Sequence, residues 1–135
     1  MSPRTKENLN SAMLREAFSH AKCLRFAAHA RMHENWELAN SFQAAADTDR
    51  MEHFAEEADL AGLDADDSGN LRSVTEDSRA EASMYRQFAK EAMADGDHAA
   101  AALFEKMQRA ADAQKRAFEA AFRIQTRART GVVAV

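Results

Sequence analysis

A chain of 135 residues with 46% apolar and 30% charged side chains is long enough to bury one core unaided and too apolar to be a disordered tail. Its net charge of −4 argues against nucleic acid as a partner, and its single cysteine, Cys23, excludes an intrachain disulfide and any multi-cysteine metal module. No stretch approaches the run of about 18 apolar residues that a membrane span needs, and "MSPRTKENLN" has no apolar signal core, so a cytoplasmic protein with no membrane partner is expected.

Pro3 is the only proline and alanine is abundant, so helix is expected almost everywhere. A first helix is expected over about 6–33, breaking at "HENW". A second follows over about 37–61 and ends at Gly62. A third starts after "DADDSGN", with Asn70 as its N-cap, and breaks at "ADGD". A fourth begins after Asp97 and continues to about Arg127, leaving 129–135 as a tail that contains the β-prone "GVVAV". Four such helices are expected to form one all-α domain over 1–128, a four-helix bundle of two αα-hairpins at about 6–61 and 70–127.

The hairpins look like a repeat. "ENLNSAM" at 7–13 recurs as "GNLRSVT" at 69–75, and the same offset of 62 carries Phe26–Ala27 to Phe88–Ala89, Ala30 to Ala92, Ala39 to Ala101 and Phe42 to Phe104. Stripes spaced by four and three then define the core-facing sides: Leu9, Met13, Glu16, His20, Cys23, Ala27, Ala30 on the first helix and Leu38, Phe42, Ala45, Asp49, then Glu52 or His53, on the second. The third reads Leu71, Val74, Ser78, Glu81, Tyr85, Phe88, Ala92, and the fourth Phe104, Met107, Ala111, Gln114, Phe118, Ala121. Glu16, His20, Asp49, Glu52 or His53, Ser78, Glu81 and Gln114 intrude on these stripes near mid-helix, where fraying does not account for them. A buried carboxylate must be paired, protonated or bound to a metal. Asp49 with Glu52 or with His53, and Glu16 with His20, stand at spacings that point one way from a helix, as ligands in a bundle core do.

The segments "NLNSAMLRE", "FAAHARMHENWELANSF", "DRMEHFAEEADL", "NLRSVTEDSRAE" and "MYRQFAKEAMADGDHAAAALF" resemble the rubrerythrin branch of the ferritin-like superfamily, over nearly the whole chain to about residue 120. The resemblance implies a ferritin-like bundle, a pair of iron ions held by carboxylates and histidine, peroxidase or oxidase activity, and an external electron donor. Glu16 falls on the first-helix glutamate, Asp49 on the glutamate of the family's E-x-x-H motif and Glu52 on its histidine, with His53 one residue late unless the helix bulges. In the second half Ser78 and Glu81, or Asp77 and Ala80 in the other alignment, take the third-helix places. The last helix offers Ala111 and Gln114, or Asp112 and Lys115, where a glutamate and a histidine belong. The ligand set is therefore incomplete. The resemblance implies Glu16, Asp49, Glu81 and one of Glu52 or His53 as ligands, His20 as ligand or proton carrier, and Tyr85 as a hydrogen-bond donor or redox partner. Carboxylate-rich ligation suits iron or manganese.

Two features leave the arrangement open. The nine residues "GLDADDSGN" reach roughly 30 Å when extended, short of the roughly 36 Å of a 24-residue helix, so a crossover with unwound turns, a hairpin-swapped homodimer and a plain up-down bundle all remain. The function also has two readings. One is a metalloprotein doing redox work on peroxide or oxygen; the other is a metal-free helical module acting through dimerisation or another protein, with "TGVVAV" as a docking segment.

Overall fold

The computed structural model describes residues 1–131, all but the turns of it helical. Helix α1 (Pro3–Met32) starts where Ser2 accepts a hydrogen bond from the Thr5 amide and proline occupies the first turn, a few residues ahead of the expected start at 6. It ends at a tight turn in which Glu34 adopts φ +57° and the Asn35 amide returns to the Ala30 carbonyl at 2.9 Å. Asn35 then caps α2 (Trp36–Thr48) through the Leu38 amide. Helix α2 passes directly into a π-helical segment, Asp49–Phe54, and this into α3 (Ala55–Ala61), which Gly62 closes at φ +66°.

Helix α4 (Asp67–Asp95) is capped by Asp66, which accepts from the Gly69 amide at 2.8 Å. Asn70, expected to be the cap, lies one turn inside and uses its side-chain amide to bracket both the N–H and the carbonyl of Ala65. In a stretch with several carboxylates and amides the earliest well-placed acceptor starts the helix. Gly96, at φ +81°, ends α4, and α5 (His98–Thr130) runs three residues past the expected Arg127 before Gly131 turns left-handed. Thr130 of the expected tail is thus helical, whereas Val132–Val135 lie outside the described residues.

Two compact units result, Met1–Asp64 and the residues from Ala65 onward, each an antiparallel helix pair. In the first, α1 packs along α2, the π segment and α3; in the second, α4 packs along α5. Both seams are built of small residues. Ala27, Ala30, Ala39, Ala46 and Ala58 are buried in the first pair, with Met13 as the single large member. Ala82, Ala89, Ala92, Ala101 and Ala111 are buried in the second. Alanine lets two helices approach closely at no side-chain entropy cost. Ala46 rather than the expected Ala45 lies inside, because the seam follows Ala39, Phe42, Ala46, Asp49.

Positions 62 residues apart occupy matching places. The Phe26 and Phe42 rings stand 5.5 Å apart at 60°, and those of Phe88 and Phe104 stand 5.5 Å apart at 59°. The left-handed turn residue Glu34 corresponds to Gly96, and the 2.9 Å bond from Asn35 to Ala30 corresponds to one of 2.8 Å from Asp97 to Ala92.

Candidate metal centre

The two helices of the first pair bring three of the expected ligands together. Glu16 projects from the middle of α1, and Asp49 and His53 from the π segment. One carboxylate oxygen from each acid and one imidazole nitrogen lie within 4.8 Å of one another. His53 Nδ1 is 3.4 Å from Glu16 Oε2 and 3.6 Å from Asp49 Oδ1. Asp49 is the most enclosed of the three side chains, at 14% exposure, against 24% for Glu16 and 52% for His53. Among the described residues this is the only group of three or more acidic, histidine or cysteine side chains so placed.

The π segment decides which neighbour joins Asp49. A π turn closes i→i+5 hydrogen bonds and so holds an extra residue compared with an α turn. His53, four residues after Asp49, comes within 3.6 Å of it, whereas Glu52 is not part of the group. A π bulge is present in this stretch, and of Glu52 and His53 it is His53 that lies with Glu16 and Asp49. Such single π turns recur at functional sites because they re-aim side chains within an otherwise regular helix.

Supporting contacts surround the cluster. The Ser19 hydroxyl donates to Asp49 Oδ2 at 2.8 Å, fixing the carboxylate whose other oxygen faces His53. His20 lies 2.8 Å through Nδ1 from the Ala46 carbonyl, near where the α ladder gives way to the π turn. A carbonyl only accepts, so Nδ1 carries the proton and Nε2 is left to accept a proton or bind a metal. His20 thus stands beside the cluster rather than in it. Together with Glu16, Ala17, Arg50 and Phe54 it lines an open, largely apolar cleft of about 200 Å³. Ser19, Arg50 and Phe54 escaped the sequence reading; Ser19 at least is three residues after Glu16, the spacing of neighbours on one helix face. One oxygen of Glu57, on α3, is buried without a hydrogen-bond partner.

The two candidates of the second pair stand apart from any such group. Glu81 is exposed on α4, and Tyr85 is half-buried with its ring 6.2 Å from that of Phe104. At the positions 62 residues on from the cluster the second pair carries Ser78, Ala111 and Lys115. Ser78 and Ala111 are buried in the seam, at 3% and 4% exposure, and the Ser78 hydroxyl turns back to the Val74 carbonyl at 2.9 Å.

Two carboxylates and an imidazole match the preference of iron and manganese for oxygen and nitrogen donors. Ligands about 2.1 Å from one ion are at most about 4.2 Å apart; the two His53 distances, 3.4 and 3.6 Å, already meet that bound, and the donor atoms of all three side chains lie within 4.8 Å of one another. No family model, no curated protein and no solved structure matches this chain.

Proposed function

We propose that this chain is a ferritin-like, rubrerythrin-related helical protein that binds iron or manganese through Glu16, Asp49 and His53. The observation that carries the reading is the convergence of two carboxylates and an imidazole from facing helices at a π turn. The alanine-seamed helix pairs support the bundle part of it. Each pair buries almost no large side chain and leaves apolar residues such as Leu14, Phe18, Leu60 and Met84 exposed, and an amphipathic pair of this kind is stable when its open face packs on further helices.

When bound, iron supplies one-electron redox chemistry on peroxide or oxygen, with electrons from an external donor. The chain's own residues do the rest. Glu16 and Asp49 balance the charge of a divalent cation, and Ser19 holds Asp49 in one orientation. His20, with Nδ1–H committed to Ala46, offers Nε2 as a proton acceptor at the cleft. The cleft wall beside the site is largely apolar and includes Phe54.

Metal analysis of protein purified from iron-supplemented cells tests this directly. Wild type is expected to carry metal that Glu16→Ala and Asp49→Ala lose, and a wild-type content below about 0.1 ion per chain, with unchanged mutant stability, refutes it. A melt provides a second check: Mn²⁺ at about 100 times its Kd is expected to add about 2.7 kcal/mol of stability, reversed by EDTA. The other reading, a metal-free interaction module, draws on the same exposed apolar residues; it predicts mutants that lose a partner and no metal.

A further inference from the structure

We infer that the metal site is completed by a second copy of this chain, the Glu16–Asp49–His53 face of one first helix pair meeting the same face of another. The inference rests on the metal reading above and adds the source of the missing ligands. The first pair supplies three donors from two helices, all on one side, so an ion held by them keeps its remaining positions open. The chain's own second pair has no matching donors at the related positions. Ala111 has none, the Ser78 hydroxyl is engaged with Val74 in a closed seam, and the Lys115 ammonium is a donor and a cation. A second copy of the first pair has all three.

Two copies contribute four carboxylates and two imidazoles, the count that holds a pair of metal ions in a bundle core. A two-fold contact is self-complementary, so a face that offers three ligands receives the same three. The surroundings fit. Ala17 and Leu24 follow Glu16 and His20 along one side of α1, with the Phe54 ring across the cleft, and this apolar margin can pack against its own copy. Four carboxylates brought together repel one another, a repulsion that the Arg50 guanidinium lining each cleft reduces and a metal cation between them offsets further, so the metal strengthens association through this face.

The test uses the full chain, stripped with EDTA and followed by sedimentation velocity with and without Mn²⁺. Mn²⁺ is expected to tighten dimerisation at least about tenfold while binding about one ion per chain. Electron paramagnetic resonance is expected to show the broadened spectrum of neighbouring ions rather than that of an isolated one. His53→Ala, at an exposed position where helicity by circular dichroism should not change, is expected to remove both the binding and the metal-dependent dimer. Glu81→Ala is expected to leave both intact. Mn²⁺ held by a monomer, or a Glu81→Ala chain that no longer binds it, overturns the inference and leaves the metal reading standing. A dimer equally strong in EDTA and indifferent to His53→Ala also overturns it. A wild-type chain that takes up no Mn²⁺ overturns the metal reading and this inference together.

Discussion

In the first helix pair the helix bearing Asp49 widens into a π turn over Asp49–Phe54; in the second pair the related residues 111–116 continue an unbroken α-helix. The partner helices differ in the same places. Glu16 and His20 on α1 are only partly covered, whereas Ser78 and Ala82 on α4 are buried. The two stretches show what a carboxylate does to an alanine seam. Ser78 satisfies its hydroxyl on its own helix and Ala111 has nothing to satisfy, so α4 and α5 close over them. Glu16 and Asp49 need partners or water; Ser19 and His53 supply part of that need, and the site stays open to solvent. The polar cluster sits where the sealed seam would otherwise run.

The largest effect should come from forcing the sealed seam to behave like the open one. Ala111→Asp places a carboxylate at a buried position in a seam where the Ser78 hydroxyl is already engaged, and is expected to cost about 3 kcal/mol. The reverse exchange, Asp49→Ala, removes one hydrogen bond at a partly solvated position and should cost at most about 1 kcal/mol. Urea denaturation of both variants measures the contrast, and equal costs would mean that the two seams are energetically alike. Met13→Ala comes next. It removes the largest buried side chain of the first seam at an expected cost of about 2 kcal/mol, while Thr75→Ala at the related position gives up only a hydroxyl bonded to Leu71, about 1 kcal/mol or less.

Much of this contrast was readable in the sequence. One early proline and abundant alanine foretold long helices, and the offset of 62 marked which residues of the two halves to compare. Glu16, Asp49 and His53 stood out, together with His20, Glu52, Ser78, Glu81 and Gln114, because polar side chains interrupt the apolar stripes there. The choice between Glu52 and His53 was not readable. It depends on a π turn, and an inserted turn of that kind reflects the fit of the helix against α1 rather than any local propensity. The use of His20 on the Ala46 carbonyl was hidden for a related reason, since it requires the register between two helices. The cap of α4 went to Asp66 and not Asn70 because both side chains suit a cap, and only the backbone course tells them apart.

The turns sharpen the comparison at smaller scale. Glu34 holds φ +57°, a conformation that costs a residue with a Cβ about 1 kcal/mol, whereas Gly96 holds the related place at φ +81° without that cost. Glu34→Gly should therefore stabilise the first pair by up to about 1 kcal/mol, and Gly96→Ala should destabilise the second by a similar amount, although a methyl there would meet nothing within 4 Å. Because space is open at Gly96, any loss in that variant reports backbone strain rather than a steric clash.

The finest test compares amide exchange in the two related stretches. The π segment lies beside partly solvated Glu16 and exposed His53, and departs from the regular α ladder. Residues 111–116 lie on an unbroken α-helix that starts from buried Ala111. Local opening follows the weaker ladder, so the amides of 50–54 should exchange at least about tenfold faster than those of 112–116. Mn²⁺ gives the comparison its direction. A cation that ties Asp49 and His53 to Glu16 links both ends of the π turn to α1, so exchange over 50–54 should slow toward that of the second pair while 112–116 stays unchanged. Slowing in both stretches would mean that the metal stabilises the whole chain without acting at the π turn. Slowing in neither would separate the π turn from metal binding and leave it as a feature of packing against α1.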